Sequence, residues 1–195
     1  MISKRKSWMV ATALALTGLA GSSAVALRLS TPGEPRSDAA WAFVANNPKM
    51  LARHADAIVV AEAVEIYPGR VATSDGGADL LPFQIVELRV QNVLKGSFPD
   101  GRVYVERAGG TEPGTGLNHV IDIDGGEFEA GRKYMLFLNE QPGDTGLYYQ
   151  VNDQSRYEVV GNRLRAIDPD HDSVQQAFHG RRLVEATTLV SQLVD

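Results

Sequence analysis

The stretch that decides the fold class is Phe83 to Leu94, with the sequence FQIVELRVQNVL. Apolar and polar residues alternate strictly from Val86 to Gln91, which is the pattern of a β-strand with one face in a core. The apolar residues then change parity at Val93, and one extra residue near Gln91-Asn92 explains this as a β-bulge. A long strand with a bulge bends, as the strands of a small barrel must.

Other strands lie on both sides of this stretch. Upstream, Ala57 to Ile66 is nearly apolar on both faces as far as Glu62, and Tyr67-Pro68-Gly69 is expected to end it. Downstream, a turn at Pro99-Asp100-Gly101 predicts a hairpin. The predicted strands after this turn are Arg102–Arg107, Tyr134–Asn139, Leu147–Val151, Arg156–Val160 and a weaker one at Leu164–Ile167.

Helices are predicted only near the two ends of the chain. Short helices are expected over Ala39–Asn46 and from Pro48 to about His54. The spacing of Leu183, Ala186, Val190 and Leu193 predicts an amphipathic C-terminal helix, with Asp172 or Ser173 as its cap. The fold class is therefore mainly β, a small closed or partly closed β-barrel with short N-terminal helices and a C-terminal helix.

The N-terminus has the features of an export signal. Lys4, Arg5 and Lys6 precede an uncharged segment, and Ala24-Val25-Ala26 offers an A-x-A cleavage site, so residues 1–26 are predicted to be a signal peptide. An uncleaved anchor over Ser7–Leu27 is the alternative. Both place the remainder outside the cytoplasm, secreted or tethered to the outer face of the cytoplasmic membrane. Residues 27–37 are predicted to be a linker and 38–195 a single domain.

Composition restricts the partners. Without Lys4, Arg5 and Lys6 the 19 basic residues fall to 16 against 24 acidic ones, a net charge of −8. Such a surface repels phosphate, so we expect no nucleic-acid partner, and contact with the membrane only through an uncleaved N-terminal segment. The chain has no cysteine. A disulfide and a lipoprotein anchor are therefore both excluded, and the domain must fold on hydrophobic burial.

The side chains that carry chemistry form no familiar constellation. No two of the four histidines have a metal-ligand spacing, and the acidic run from Asp122 to Glu127 is too incomplete for an EF-hand loop, so no metal or cofactor is predicted. A G-x-S-x-G serine is absent. Two distant carboxylates meeting in the fold would still allow glycoside hydrolysis. The tyrosines at 148, 149 and 157 are interpreted as cross-strand pairs, with a stacking platform as the alternative.

Four segments of the chain resemble a group of uncharacterised exported bacterial proteins. These segments are Ala55–Ala61, Val90–Gly96, the pair Gly109-Gly110 and Phe128–Leu138, although Ala61 stands where that group has glycine. The group is in turn distantly similar to the OB-like barrel of netrin and metalloproteinase-inhibitor domains. The resemblance implies an OB-like barrel. Protease inhibition is not carried over, because the inhibitors build their inhibitory edge on an N-terminal cysteine.

The segment from Ala108 to Glu127 is the predicted binding loop. Six glycines and one proline in twenty residues predict a long mobile loop. The residues proposed to bind are Gly109, Gly110, Glu112, His119, Asp122 and Asp124. The sequence thus favours a non-catalytic extracytoplasmic module that binds a protein or a glycan. The alternatives are an envelope hydrolase that uses scattered carboxylates and a protease-inhibitor-like domain.

Overall fold

The computed structural model describes residues 43–73, 80–112, 114–119 and 126–194. These residues all belong to one compact unit. The predicted signal peptide and linker lie outside them. No helix within the described ranges combines the length and the apolar composition needed to span a membrane.

The structure is mainly β with a C-terminal helix, which confirms the predicted class. A 3₁₀ turn spans Asp153–Ser155. The helices are α1 (Pro48–His54), α2 (Ser173–Phe178) and α3 (Leu183–Val194). The strands are β1 (Ala57–Thr73), β2 (Leu80–Lys95), β3 (Arg102–Ala108), β4 (Gly110–Thr111), β5 (Asn118–His119), β6 (Lys133–Gln141), β7 (Asp144–Gln150), β8 (Arg156–Val160) and β9 (Arg163–Arg165).

Five strands form a ring of hydrogen-bonded pairs, here called the five-strand ring. The order is β1-β2-β3-β7-β6, and β1 pairs with β6 to close it. All pairs in the ring are antiparallel except β3 with β7. Strands β8 and β9 continue the sheet outward from β6. The sheet is therefore partly closed, with a two-strand extension on one side.

Two hydrophobic clusters lie on opposite faces of β1. Ala57, Val59 and Ala61 belong to an inner cluster to which the other ring strands contribute Val86, Leu88, Val103, Val105, Leu136 and Leu138. Ile58 and Val60 belong to an outer cluster with Leu51, Phe137, Tyr157, Phe178, Ala186 and Val190, which packs the three helices on the sheet. This arrangement explains why the start of β1 is apolar on both faces.

The predicted bulge in β2 is confirmed. Val60 pairs with Asn92 and Ala61 with Val90, so Gln91 is the extra residue. The Val93 side chain is 40% exposed. A second register shift leaves Leu94 as another extra residue of β2. The Leu94 side chain packs against the outer cluster.

Strand β1 does not end at Tyr67-Pro68-Gly69 as predicted. It continues to Thr73 through a register shift after Pro68. Beyond Glu62 the strand pairs with β2 but not with β6. A proline is tolerated in such an edge segment, because only one side of the strand needs a full ladder of hydrogen bonds.

Of the two predicted N-terminal helices, the described residues contain one. Residues 43–46 of the predicted first helix are not helical, and residues 39–42 lie outside the described ranges. The Gln154 amide binds both backbone groups of Ala45, which takes the place of helical hydrogen bonds there. Helix α1 begins after Asn47, whose side chain accepts from the Met50 N–H. Asp172 caps α2 rather than the last helix, because a separate six-residue helix precedes α3.

Candidate functional site

The described part of the Gly-rich segment is a small hairpin, so the predicted long mobile loop is wrong for these residues. Gly110 pairs with His119 across strands β4 and β5. The Gly109 N–H donates to the Pro82 carbonyl at 2.8 Å, which fixes the hairpin on β2. Gly110 has φ +114°, and a Cβ there would lie 2.6 Å from Cγ of Gln84. Glycine is required at this position by both conformation and space.

Two of the predicted binding residues contact each other. His119 Nε2 lies 3.1 Å from Glu112 Oε2, and both side chains are almost buried. The Glu112 N–H also donates to the Leu117 carbonyl. These contacts close the hairpin, so Glu112 and His119 have a structural role in the described geometry. Asp122 and Asp124 lie outside the described residues.

A cleft of about 450 Å³ opens where the chain returns from this segment to the sheet. It lies between residues 126–129 and the β6-β8-β9 part of the sheet, and we call it the β8–β9 cleft. Its volume is in the range of small-molecule sites. The lining residues are Gly126, Glu127, Glu129, Tyr134, Arg156, Glu158, Arg165, Ala166 and Ile167.

Glu158 forms the floor of the charged part of the cleft. One carboxylate oxygen accepts from Arg132 Nη1 at 2.5 Å, and the other accepts from Arg165 Nη2. Glu158 is 14% exposed, whereas Arg132 and Arg165 are 47% and 59% exposed. The hydrogen bond to Glu158 raises the pKa of the Arg132 guanidinium, which therefore stays charged. The carboxylate is held between two half-exposed cations.

Arg156 forms a preformed wall of the cleft. It is 4% exposed, and its Nη2 donates to the Gly126 carbonyl at 2.7 Å. Its guanidinium lies 4.6 Å from the centre of the Phe128 ring, which in turn packs edge-on against Tyr134. The Tyr134 hydroxyl accepts from the Glu129 N–H, and burial is the main cause that raises its pKa. The segment 126–129 is thus fixed against the sheet.

The residues of the family-like motifs have structural roles. Lys95 Nζ donates to the carbonyls of Ala52, Arg53 and Ala55, which caps the C-terminus of α1. The Asp56 carboxylate accepts from the backbone N–H of residue 140. The Gly131 N–H donates to the carbonyl of residue 63. These three residues stabilise the fold, whereas Glu129 and Tyr134 of the segment Phe128–Leu138 line the cleft.

Glu65 of β1 and Glu87 of β2 are paired with each other across the ring. The Tyr67 hydroxyl lies 2.9 Å from Glu65 Oε2 and 2.7 Å from Glu87 Oε2. The pKa of Tyr67 is raised, mainly by the hydrogen bond to Glu87 and to a lesser extent by the one to Glu65. Glu87 is buried and also accepts from Arg102, whereas Glu65 is exposed. Across the described ranges, no three histidine or acidic side chains are grouped closely enough to hold a metal ion.

The three tyrosines are paired across strands as predicted, Tyr157 with Met135, Tyr148 with Glu140 and Tyr149 with Asn139, and no two of them stack on each other. Tyr157 is fully buried in the outer cluster, next to Phe137 and Phe178. Tyr148 packs on the inner cluster against Phe98. Tyr149 is paired with Asn139 across β6 and β7. Tyr157 and Tyr148 thus each contribute to one of the two clusters.

None of the predicted binding residues that the structure describes lines the β8–β9 cleft. The available signal was the charge pattern of β8 and β9, where Arg156 and Glu158 alternate with apolar residues and Arg165 follows in the next strand. No protein-family model matches the chain, and no curated protein sequence is significantly similar to it. The resemblance to the exported bacterial group therefore remains a prediction, and the function of the cleft has to be inferred from its own residues.

Proposed function

We propose that this chain is a non-catalytic binding module on the outer side of the cytoplasmic membrane, and that it binds a protein or a glycan in the β8–β9 cleft. The observation that carries the proposal is the cleft itself, in which five of the nine lining residues are charged. Arg156 and Tyr134 are held there by contacts that need no ligand. A site prepared in this way loses little side-chain entropy when it binds.

We further infer that the five-strand ring is an OB-like barrel. OB-like barrels are five-stranded, partly open Greek-key sheets. The order β1-β2-β3-β7-β6, the closure through β1 and β6, and the parallel β3–β7 pair support this assignment. The export signal predicted for residues 1–26 supports the location.

The state of Glu158 favours binding over catalysis. A general acid or base must exchange a proton with a substrate atom within hydrogen-bond reach. Both oxygens of Glu158 already accept from arginines. This carboxylate therefore serves as a fixed acceptor.

A hydrolase is the second candidate, and the Glu65–Glu87 pair is the observation that favours it. Two carboxylates around one hydroxyl would suit acid–base chemistry. The Tyr67 hydroxyl can donate to only one of them at a time, and Arg102 pairs with Glu87, which lowers the repulsion between the two like charges across β1 and β2. Turnover of chromogenic glycosides that disappears in Glu65→Gln would support the hydrolase. Turnover that is unchanged in Glu65→Gln would remove this pair as its site.

The binding proposal is tested by capture from envelope extract with the purified protein and two variants. Arg165→Ala removes a cleft guanidinium that is 59% exposed. Arg89→Ala is the matched control, because Arg89 is 62% exposed and pairs with Glu62 on the ring. We expect the wild type and Arg89→Ala to retain a partner that Arg165→Ala loses. Equal recovery by all three proteins would contradict the proposal.

A further inference from the structure

We propose that the β8–β9 cleft takes a neutral, hydroxyl-rich ligand, namely a short glycan. This inference rests on the proposed binding function and specifies the ligand class of the same cleft. Three features of the cleft support it: the balance of charge, the arrangement of donors and acceptors, and the small apolar surface.

The charges of the cleft cancel one another. Arg156 and Arg165 face the acids Glu127, Glu129 and Glu158. A third arginine, Arg132, pairs with Glu129 and Glu158 at the edge of the cleft. Among the described residues, these three cations and three anions leave no net charge that would select a strongly charged ligand. An anionic ligand would meet the glutamates, and a cationic ligand would meet the arginines.

Donors and acceptors lie side by side, which suits hydroxyl groups. A sugar hydroxyl donates one hydrogen bond and accepts others. At the cleft, the half-exposed Arg165 guanidinium offers donors directly beside the Glu158 carboxylate. Each Glu158 oxygen has a second acceptor position besides the one used by its arginine, so two neighbouring hydroxyls of a sugar can bind one to the cation and one to the anion. Charge-assisted hydrogen bonds of this kind are about twice as strong as neutral ones.

The apolar part of the cleft is too small for a protein anchor. Binding energy in protein interfaces is concentrated on aromatic or aliphatic side chains that fill desolvated pockets. Among the described residues of the lining, the aliphatic side chains are Ala166 and Ile167, and Ile167 is 42% exposed. One such side chain matches the C–H face of a sugar ring better than it would hold a large hydrophobic residue.

The test is a titration of the isotope-labelled protein, followed by backbone amide chemical shifts. The neutral probes are maltotriose and chitotriose, the anionic probe is trigalacturonate, and the peptide probe is triglycine, each up to millimolar concentration. We expect a neutral trisaccharide to shift the amides around Glu158 and Arg165. Arg165→Ala should raise its Kd by about tenfold or more, the loss of one charge-assisted hydrogen bond. Arg89→Ala should leave the Kd unchanged.

A second variant distinguishes a loss of binding from a loss of the fold. Glu158→Gln keeps the shape of the side chain and removes its charge, so weaker binding with an unchanged circular dichroism spectrum would also support the proposal. Binding of only trigalacturonate or triglycine, or of none of the probes, would overturn the ligand class. The proposed binding function would survive that result if capture from envelope extract still depended on Arg165. Shifts remote from the cleft and insensitive to Arg165→Ala would overturn the site as well.

Discussion

Gln154 binds the non-helical segment that precedes α1, and its replacement by leucine tests the buried polar network around it. The side chain is 2% exposed. Its Oε1 accepts from the Ala45 N–H at 2.8 Å, and its Nε2 donates to the Ala45 carbonyl at 3.0 Å. The same amide binds Asn152 Nδ2 at 2.8 Å and Asp172 Oδ2 at 2.6 Å.

The expected cost follows from the groups that lose their partner. Leucine has nearly the same volume but no polar atoms, so the N–H and the carbonyl of Ala45 lose their bonds to residue 154. Each buried polar group without a partner costs about 1–3 kcal/mol, and we expect Gln154→Leu to lower the free energy of unfolding by about 2–4 kcal/mol. If residues 43–46 instead detach and bind water, the loss is smaller and the Ala45 amide exchanges faster.

Denaturant unfolding and amide hydrogen exchange of Ala45 measure the two effects. Gln192→Leu is the matched control, because Gln192 lies exposed on α3. That control should change the free energy of unfolding by less than about 0.5 kcal/mol. A Gln154→Leu variant as stable as the control, with an equally protected Ala45 amide, would refute the reasoning.

Three further predictions concern single side chains. The Tyr157 hydroxyl is buried without a partner among the described residues, so Tyr157→Phe should keep or raise the free energy of unfolding. Tyr134→Phe should lower it by about 1 kcal/mol, because the Tyr134 hydroxyl accepts from the Glu129 N–H. The opposite order of stability in chemical denaturation would contradict this prediction. Gly110→Ala places a side chain on a residue with φ +114° and should lower the free energy of unfolding by about 1–3 kcal/mol. A melting temperature equal to that of the wild type would contradict this prediction. The hydrogen bond to Asp168 raises the pKa of His171 above 6.5, so this contact stabilises the fold below pH 6.5 and its contribution disappears as the pH rises through the folded-state pKa. Asp168→Asn should lower the His171 midpoint in an NMR titration, and an unchanged midpoint would rule out this cause.

The strands were predictable where local alternation was strong. Phe83–Leu94 has both the period of a strand and the change of parity that marks the bulge at Gln91. The closure of the ring had no local signal, because β1 pairs with β6, about 80 residues further along the chain, as in the pair Ile58 and Phe137. Only the complete topology brings these residues together.

The site was less predictable than the fold. The glycines marked the segment from Ala108 to Glu127, but the hairpin at Gly110 proved to be structural. Arg156, Glu158 and Arg165 have the pattern of ordinary solvent-facing strand residues, because polar positions that alternate with apolar ones usually face water. They become a cleft only when residues 126–129 cross the same face of the sheet, and no local pattern specifies that crossing.

The position of β1 between the two clusters has a consequence for how the molecule unfolds. Consecutive residues such as Ile58 and Val59 belong to different cores, yet they share one backbone. Loss of the helical layer would expose one side of that backbone to water, and opening of the ring would expose the other. We therefore expect both halves to melt in a single cooperative transition, with neither half persisting as an intermediate.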